Sequence, residues 1–191
     1  AEDGAATIEW LANHDWVTNV GMFGGSSPGH AQLFAAAERP EGLGAIAPTF
    51  TPSDLHRSDF FQDGAMSAMT LLSWSFSDAI AGHTVGRLER RGRIDEETAN
   101  AVRDATTDAL ERLSDLARHR PLVELPEVVF NDVALPEDIA PADLVPHWRD
   151  WTDRAEYDAF WRSFDPELDY DRIAVPGLHT TGWYELCQHG T

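Results

Sequence analysis

The sequence predicts an α/β fold interrupted by a long helical segment, and three observations carry that prediction. "VGMFGGSSPGHAQLFAAA", residues 20–37, runs from a short apolar strand over small residues into an alanine-rich helix. "LGAIAP" at 43–48 and "IAVPGLHT" at 173–180 read as two further apolar strands. Between the second and third strands lie roughly 120 residues with helical spacing, too many for an ordinary loop.

Each element follows from its residues. Asp3 to Ala12 is predicted helical, with Ile8 and Leu11 on one face and Trp10 alongside. A strand over 19–24 and a helix over His30 to Ala37 come next. Ala65 to Ile80 carries Met66, Met69, Leu72 and Phe76 at helical spacing. Asp95 to Arg118 is marked at both ends: Glu96 and Glu97 open it, Arg118 and His119 close it, and Pro121 follows. Val102, Ala105, Ala109, Leu113 and Leu116 form its apolar stripe. A proline-spaced loop, "PLVELPEVVFNDVALPEDIAP", leads to an aromatic helical pair around Trp148, Trp151, Tyr157 and Trp161. No internal repeat or low-complexity tract is present.

Composition excludes several classes of function. At 191 residues the chain holds one good core, or part of a larger one. A single cysteine, Cys187, excludes a disulfide framework, and no Cys/His cluster has zinc spacing, so neither metal nor cofactor is expected. No apolar run is long enough to cross a bilayer and no signal peptide is evident, which points to the cytoplasm. There are 33 Asp plus Glu against 14 basic residues, all of them Arg, for a formal charge of -19. That balance argues against nucleic-acid or anionic-membrane partners, which need a basic surface. The acids are spread along the chain instead of gathered in a tail, as suits a cytoplasm of concentrated salt where screening acts over about 3 Å.

The strand–turn–helix at 20–37 has the form of a nucleophile elbow, where a sharp turn over small residues exposes a serine hydroxyl. Two serines compete. G-x-S-x-G read strictly fits Gly25-Ser26-Ser27-Pro28-Gly29 and points to Ser27. The oxyanion hole decides otherwise, because one donor is the backbone N–H of the residue after the nucleophile. Behind Ser27 stands Pro28, which has no N–H, and losing one such donor costs about 10²–10³ in rate. With Ser26 attacking, Ser27 donates and Pro28 falls harmlessly in the first helical turn. The bland alternative is a serine that merely caps the helix.

Five motifs give the chain a family likeness. "DGAATIEWL", "VGMFGGSSPG", "AIAPTFTPSD", "HWRDWTDRAEYDAFWRSF" and "IAVPGLHTTGWYE" resemble, in that order, the cocaine esterase/X-prolyl dipeptidyl-peptidase-like (CocE/NonD) serine hydrolases. The resemblance implies a partial α/β-hydrolase core over 1–52, a helical cap insertion over 53–172, and a return to the core over 173–191. It also implies a Ser-Asp-His triad cleaving small-molecule esters or amides, and its own G-x-S-Y-x-G pattern again selects Ser26. Where the family has Asp after Gly-Trp-Tyr, this chain has Glu185. Glutamate can orient an imidazole and stabilise its cation, so Glu185 is the expected acid, with an exposed first-turn Glu as the alternative. Trp74, Phe60 and Phe61 occupy places where the family puts pocket aromatics, and Trp183 and Tyr184 adjoin the acid. Core packing remains open for Trp74. Asp54 and Arg57 read as a local salt bridge sooner than as substrate contacts.

The base is the gap. Of eight histidines, His189 follows Glu185 by one helical turn and points along the same helix, while His30 lies at the core edge of the nucleophile helix. The expectation is that N- and C-terminal segments of the same protein supply a histidine, the second oxyanion donor and preceding strands. An X-prolyl dipeptidyl peptidase, a non-catalytic hydrolase-fold binding protein and a homo-oligomer joined through the acidic helices remain open. The charge itself yields a prediction. The melting temperature should rise from dilute buffer to molar potassium or sodium chloride, as screening relieves repulsion among the 33 carboxylates, and a flat or falling trend would contradict it.

Overall fold

The computed structural model describes residues 1–185, without the side chains of residues 78 and 79; Cys187 and His189 lie outside the described residues. The chain divides into two compact units, Ala1–Ala65 with Glu156–Thr191, and Met66–Ala155.

In the first unit a parallel sheet grows by one βαβ step. Helix α1 (Glu2–Ala12) precedes strand β1 (Val20–Gly25), helix α2 (Ser27–Ala37) and strand β2 (Leu43–Thr49). β1 and β2 pair in parallel, with Met22 opposite Ile46 and Gly25 opposite Thr49. The segment 177–180 extends the sheet on the far side of β2. Leu178 N–H donates to Ile46 O at 3.0 Å, Thr180 N–H to Pro48 O at 3.1 Å, and Phe50 N–H to Thr180 O at 2.7 Å. The predicted third strand is therefore short: it pairs at two isolated bridges, Ile46 with Gly177 and Thr49 with Thr180. Pro176 explains its start, since a proline accepts, here from Ile46 N–H at 3.0 Å, but cannot donate.

The core of this unit is Ile8, Leu33, Ala35, Ala36, Leu43 and Ile46, with Val20, Met22, Ile173 and Val175 packed against it. The alanines of α2 let helices approach closely: a Cβ on Gly4 of α1 would meet Ala35 Cβ at 3.0 Å. A second, aromatic cluster forms around Trp161, whose ring lies 5.0 Å from Phe60 and 5.2 Å from His56, which also stacks on Phe61 at 4.8 Å.

The second unit is helical, but more broken than its spacing predicts. Where one helix over 65–80 is expected, α3 spans only Ala68–Ser75. α4 (His83–Arg90) follows, then α5 (Glu96–Glu111), whose N-cap Asp95 accepts from Thr98 N–H at 2.8 Å. α5 stops at Arg112, and a separate turn, α6 (Leu113–Leu116), continues the stripe to a buried Leu116. Phe76, Phe130 and Trp148 pack together, and Trp148 Nε1–H donates to Leu122 O at 2.8 Å, so the buried indole leaves no orphan donor.

His147 is hydrogen-bonded to the fully buried Ser75, Nε2 to Oγ at 3.0 Å, and burial pushes its pKa down from 6.5 to about 4. The folded unit thus holds a neutral imidazole where the unfolded chain takes up a proton. This contribution is complete above pH 6.5 and is lost progressively as pH falls toward 4. The melting-temperature advantage of wild type over His147→Gln should shrink between pH 7 and 4.5; a constant difference would contradict the assignment.

Candidate active site

The turn from β1 into α2 has the geometry of an elbow. Ser26 has φ 57 and ψ -127, a region that non-glycine residues rarely occupy and that costs about 1–3 kcal/mol. It stands at the N-cap position of α2 yet makes no side-chain capping bond, so helix capping is not what its hydroxyl does. Ser26, Ser27 and Pro28 are all exposed. Ser27 opens α2 and Pro28 lies within its first turn, where a missing N–H costs nothing.

Backbone bonds anchor Ser26 on both sides. Its N–H donates to Thr49 O at 3.0 Å, and its carbonyl accepts from His30 N–H at 3.0 Å. The glycines around it are forced by contact. A Cβ on Gly24, whose φ is 151, would lie 2.7 Å from Pro28 Cβ; one on Gly25 would enter the Phe50 ring; one on Gly29 would collide with Thr51 Oγ1. Phe50, with φ 36, is itself a strained aromatic, and its ring covers the residue before Ser26.

The parallel sheet sets the ends of its strands side by side. Ser26 follows β1, Phe50 follows β2, and Glu185 lies five residues past Thr180. Glu185 N–H donates to Gly182 O at 3.1 Å, closing a turn that leaves Trp183 and Tyr184 91% and 103% exposed. Trp74 is half-buried in α3 of the helical unit, whereas Phe60 and Phe61 are packed in the aromatic cluster at 3% and 5% exposure.

No histidine is hydrogen-bonded to the Ser26 hydroxyl among the described residues. His30 turns its ring away, Nε2–H donating to Ser53 O at 3.2 Å, and burial is the main cause that lowers its pKa. Asp54 and Arg57 form the local salt bridge the sequence suggests; Asp54 also accepts from His56 N–H at 2.9 Å, and Arg57 reaches Glu167 at 3.4 Å. Asp54, Arg57 and Glu167 line an open cleft of about 420 Å³ with Ser53, Ser58, Gln62 and Asp63.

Sequence reading missed Gln32. Buried in α2 at 1% exposure, its Nε2–H donates to Gly24 O and Pro28 O, both at 3.2 Å, and its Oε1 accepts from Ala47 N–H at 3.0 Å. A single amide in an alanine-rich helix was the only signal. Thr51 and Phe50 were equally silent, because what they do depends on glycines distant from them in sequence.

An exposed serine at positive φ between a parallel strand and a helix is the arrangement of a nucleophile elbow, and comparison with known proteins gives the fold. The X-Pro dipeptidyl-peptidase (S15 family) matches residues 1–191, and the chain belongs to that family of α/β-hydrolase fold. Cocaine esterase of Rhodococcus sp. (strain MB1 Bresler) is 32% identical over 187 residues, covering 96% of this chain. The chain spans 29% of the length of that relative.

Gly29→Ala should destabilise the first unit by about 1–3 kcal/mol, because the new methyl has backbone and Thr51 in its path. Chemical denaturation measures this; a loss below about 0.5 kcal/mol, the range of ordinary surface substitutions, would mean the elbow is looser than described.

Proposed function

We propose that the protein is a serine hydrolase that cleaves carboxylic ester or amide bonds through an acyl-enzyme on Ser26. The observation that carries this reading is the strained backbone of Ser26, exposed at the strand–helix turn without a capping role. Ser26 Oγ attacks the substrate carbonyl carbon while a base takes its proton, and Ser27 N–H donates to the developing oxyanion. Collapse expels the alcohol or amine, which receives the proton, and water then releases the acid by the same steps. Glu185 orients the histidine that serves as base, and further segments of the same protein bring that histidine and the second oxyanion donor.

On this reading the helical residues within 53–172 are the cap insertion, Trp74, Trp183 and Tyr184 are pocket aromatics, and Phe60 and Phe61 are packing within the aromatic cluster. The exposure of Trp183 and Tyr184 beside Glu185 supports it. The relatives favour two substrate classes: esters, as the name cocaine esterase states, and X-Pro peptides, as for the dipeptidyl peptidases.

In the full-length protein, Ser26→Ala should abolish hydrolysis of p-nitrophenyl acetate and labelling by a fluorophosphonate. Ser27→Ala should change both modestly, since alanine keeps the backbone N–H, and Glu185→Gln should cut turnover by about 10²–10⁴ while preserving the melt. An inactive Ser27→Ala beside an active Ser26→Ala would reverse the assignment, and a wild type that resists the fluorophosphonate would favour a binding protein.

A further inference from the structure

We infer that Gln32 is a positioning residue for Ser26, a role that rests on the reading of Ser26 as nucleophile. Its two accepting carbonyls bracket the serine: Gly24 O two residues before it and Pro28 O two residues after, each 3.2 Å from Nε2. Its own carbonyl takes Ala47 N–H from β2 at 3.0 Å. One buried amide therefore ties the end of β1, the first turn of α2 and β2 together, and the turn between the first two is Ser26.

The other bonds at Ser26 cannot do this work. Ser26 N–H to Thr49 O and His30 N–H to Ser26 O fix the peptides adjoining the residue. Neither sets the angle at which strand enters helix. That angle aims both Ser26 Oγ and Ser27 N–H, and a positive φ at serine persists only where the surroundings over-determine it. Gln32 supplies the missing restraint from the helix side, below the surface, where it touches no substrate.

Without the amide, the two carbonyls lose the donor that joins them across Ser26, while Pro28 O keeps the helical N–H of Gln32, and the strain at Ser26 is free to relax. The least costly relief is rotation of the peptides flanking Ser26, the one strained point between them. Such rotation displaces the hydroxyl and the oxyanion donor together. A shift of about 1 Å at reacting atoms can cost about 10²-fold in rate.

The test is steady-state hydrolysis of p-nitrophenyl acetate by full-length Gln32→Leu, Gln32→Met and Gln32→Glu, with hydrogen exchange of the peptide covering 24–29. For Leu and Met, kcat should fall about 30- to 100-fold with KM within about 2-fold, and exchange should quicken at 24–29 before the rest of the sheet. Glu keeps the acceptor but turns a carboxylate on two carbonyls, so it should be the slowest of the three. A kcat within about 3-fold of wild type, or a loss of protection shared evenly along the chain, overturns the inference. Failure of all three variants to fold overturns it as well, since Gln32 would then be a folding determinant. Hydrolysis that survives Ser26→Ala refutes the nucleophile reading instead, and the exchange comparison alone then decides whether Gln32 holds the turn.

Discussion

Ser26 keeps a backbone conformation, φ 57 with ψ -127, that costs about 1–3 kcal/mol and so survives only where neighbours leave no alternative. Much of the first unit can be read as that set of neighbours. The parallel pairing of β1 with β2 brings Thr49 O to the Ser26 N–H. Gly24, Gly25 and Gly29 are small because Pro28, the Phe50 ring and Thr51 occupy the space where their Cβ atoms would go. Leu33, Ala35 and Ala36 of α2 pack the body of the helix against Ile8, Leu43 and Ile46, and Gln32 ties its first turn to the end of β1. Strain at one residue is offset by burial at several others.

How much of this was legible in the sequence depended on whether backbone or side chain set the rule. The elbow is legible because its signature is continuous in the sequence: small residues between strand and helix, and a proline where no N–H is needed. What forces Gly25 and Gly29, however, lies at Phe50 and Thr51. The preference for Ser26 over Ser27 comes from the missing N–H of Pro28; Ser26 is the residue at positive φ in this turn. The two longer strands were legible from apolar runs. The third is shorter than its apolar run, because "IAVPGLHT" is apolar enough for a strand while Pro176 withholds a donor and pairing is confined to Gly177 and Thr180. The helices of the second unit were predicted too long, since periodicity survives a break: Leu116 stays on the buried stripe although α5 ends at Glu111. Gln32 was illegible for another reason. Its partners are carbonyls of Gly24 and Pro28 and an amide of Ala47, which carry no side-chain signature.

An acidic chain must also bury some of its carboxylates, and here they are answered locally. Asp54 at 2% exposure accepts from the His56 N–H and pairs with Arg57. Asp165, also at 2%, takes the Glu167 N–H at 3.0 Å and the Tyr157 hydroxyl, whose pKa burial and then that bond push up to about 12. Each carboxylate thus spends its lone pairs on backbone amides and one side-chain partner, which removes the penalty of an unpaired buried charge. With 14 Arg for 33 acids, the basic residues cannot pair one to one with the carboxylates. Exposed pairs such as Arg112 with Asp108 contribute at most about 1 kcal/mol, so ion pairing is not what holds an excess of this size.

Parallel strands order the chemistry in a way that an antiparallel sheet would not. All strands end on one edge, so residues far apart in sequence gather where the chain leaves the sheet. Ser26 leaves β1 there, strained Phe50 leaves β2 there, and Thr180, the last paired residue of the third segment, lies against Thr49 at the same edge. Between the second and third of these departures the chain spends residues 66–155 on a separate helical unit and then returns to the sheet. Such an excursion leaves the strand register untouched, because Phe50 N–H still meets Thr180 O at 2.7 Å on the way back. The pairing at this edge is therefore held by the backbone bonds of the sheet itself.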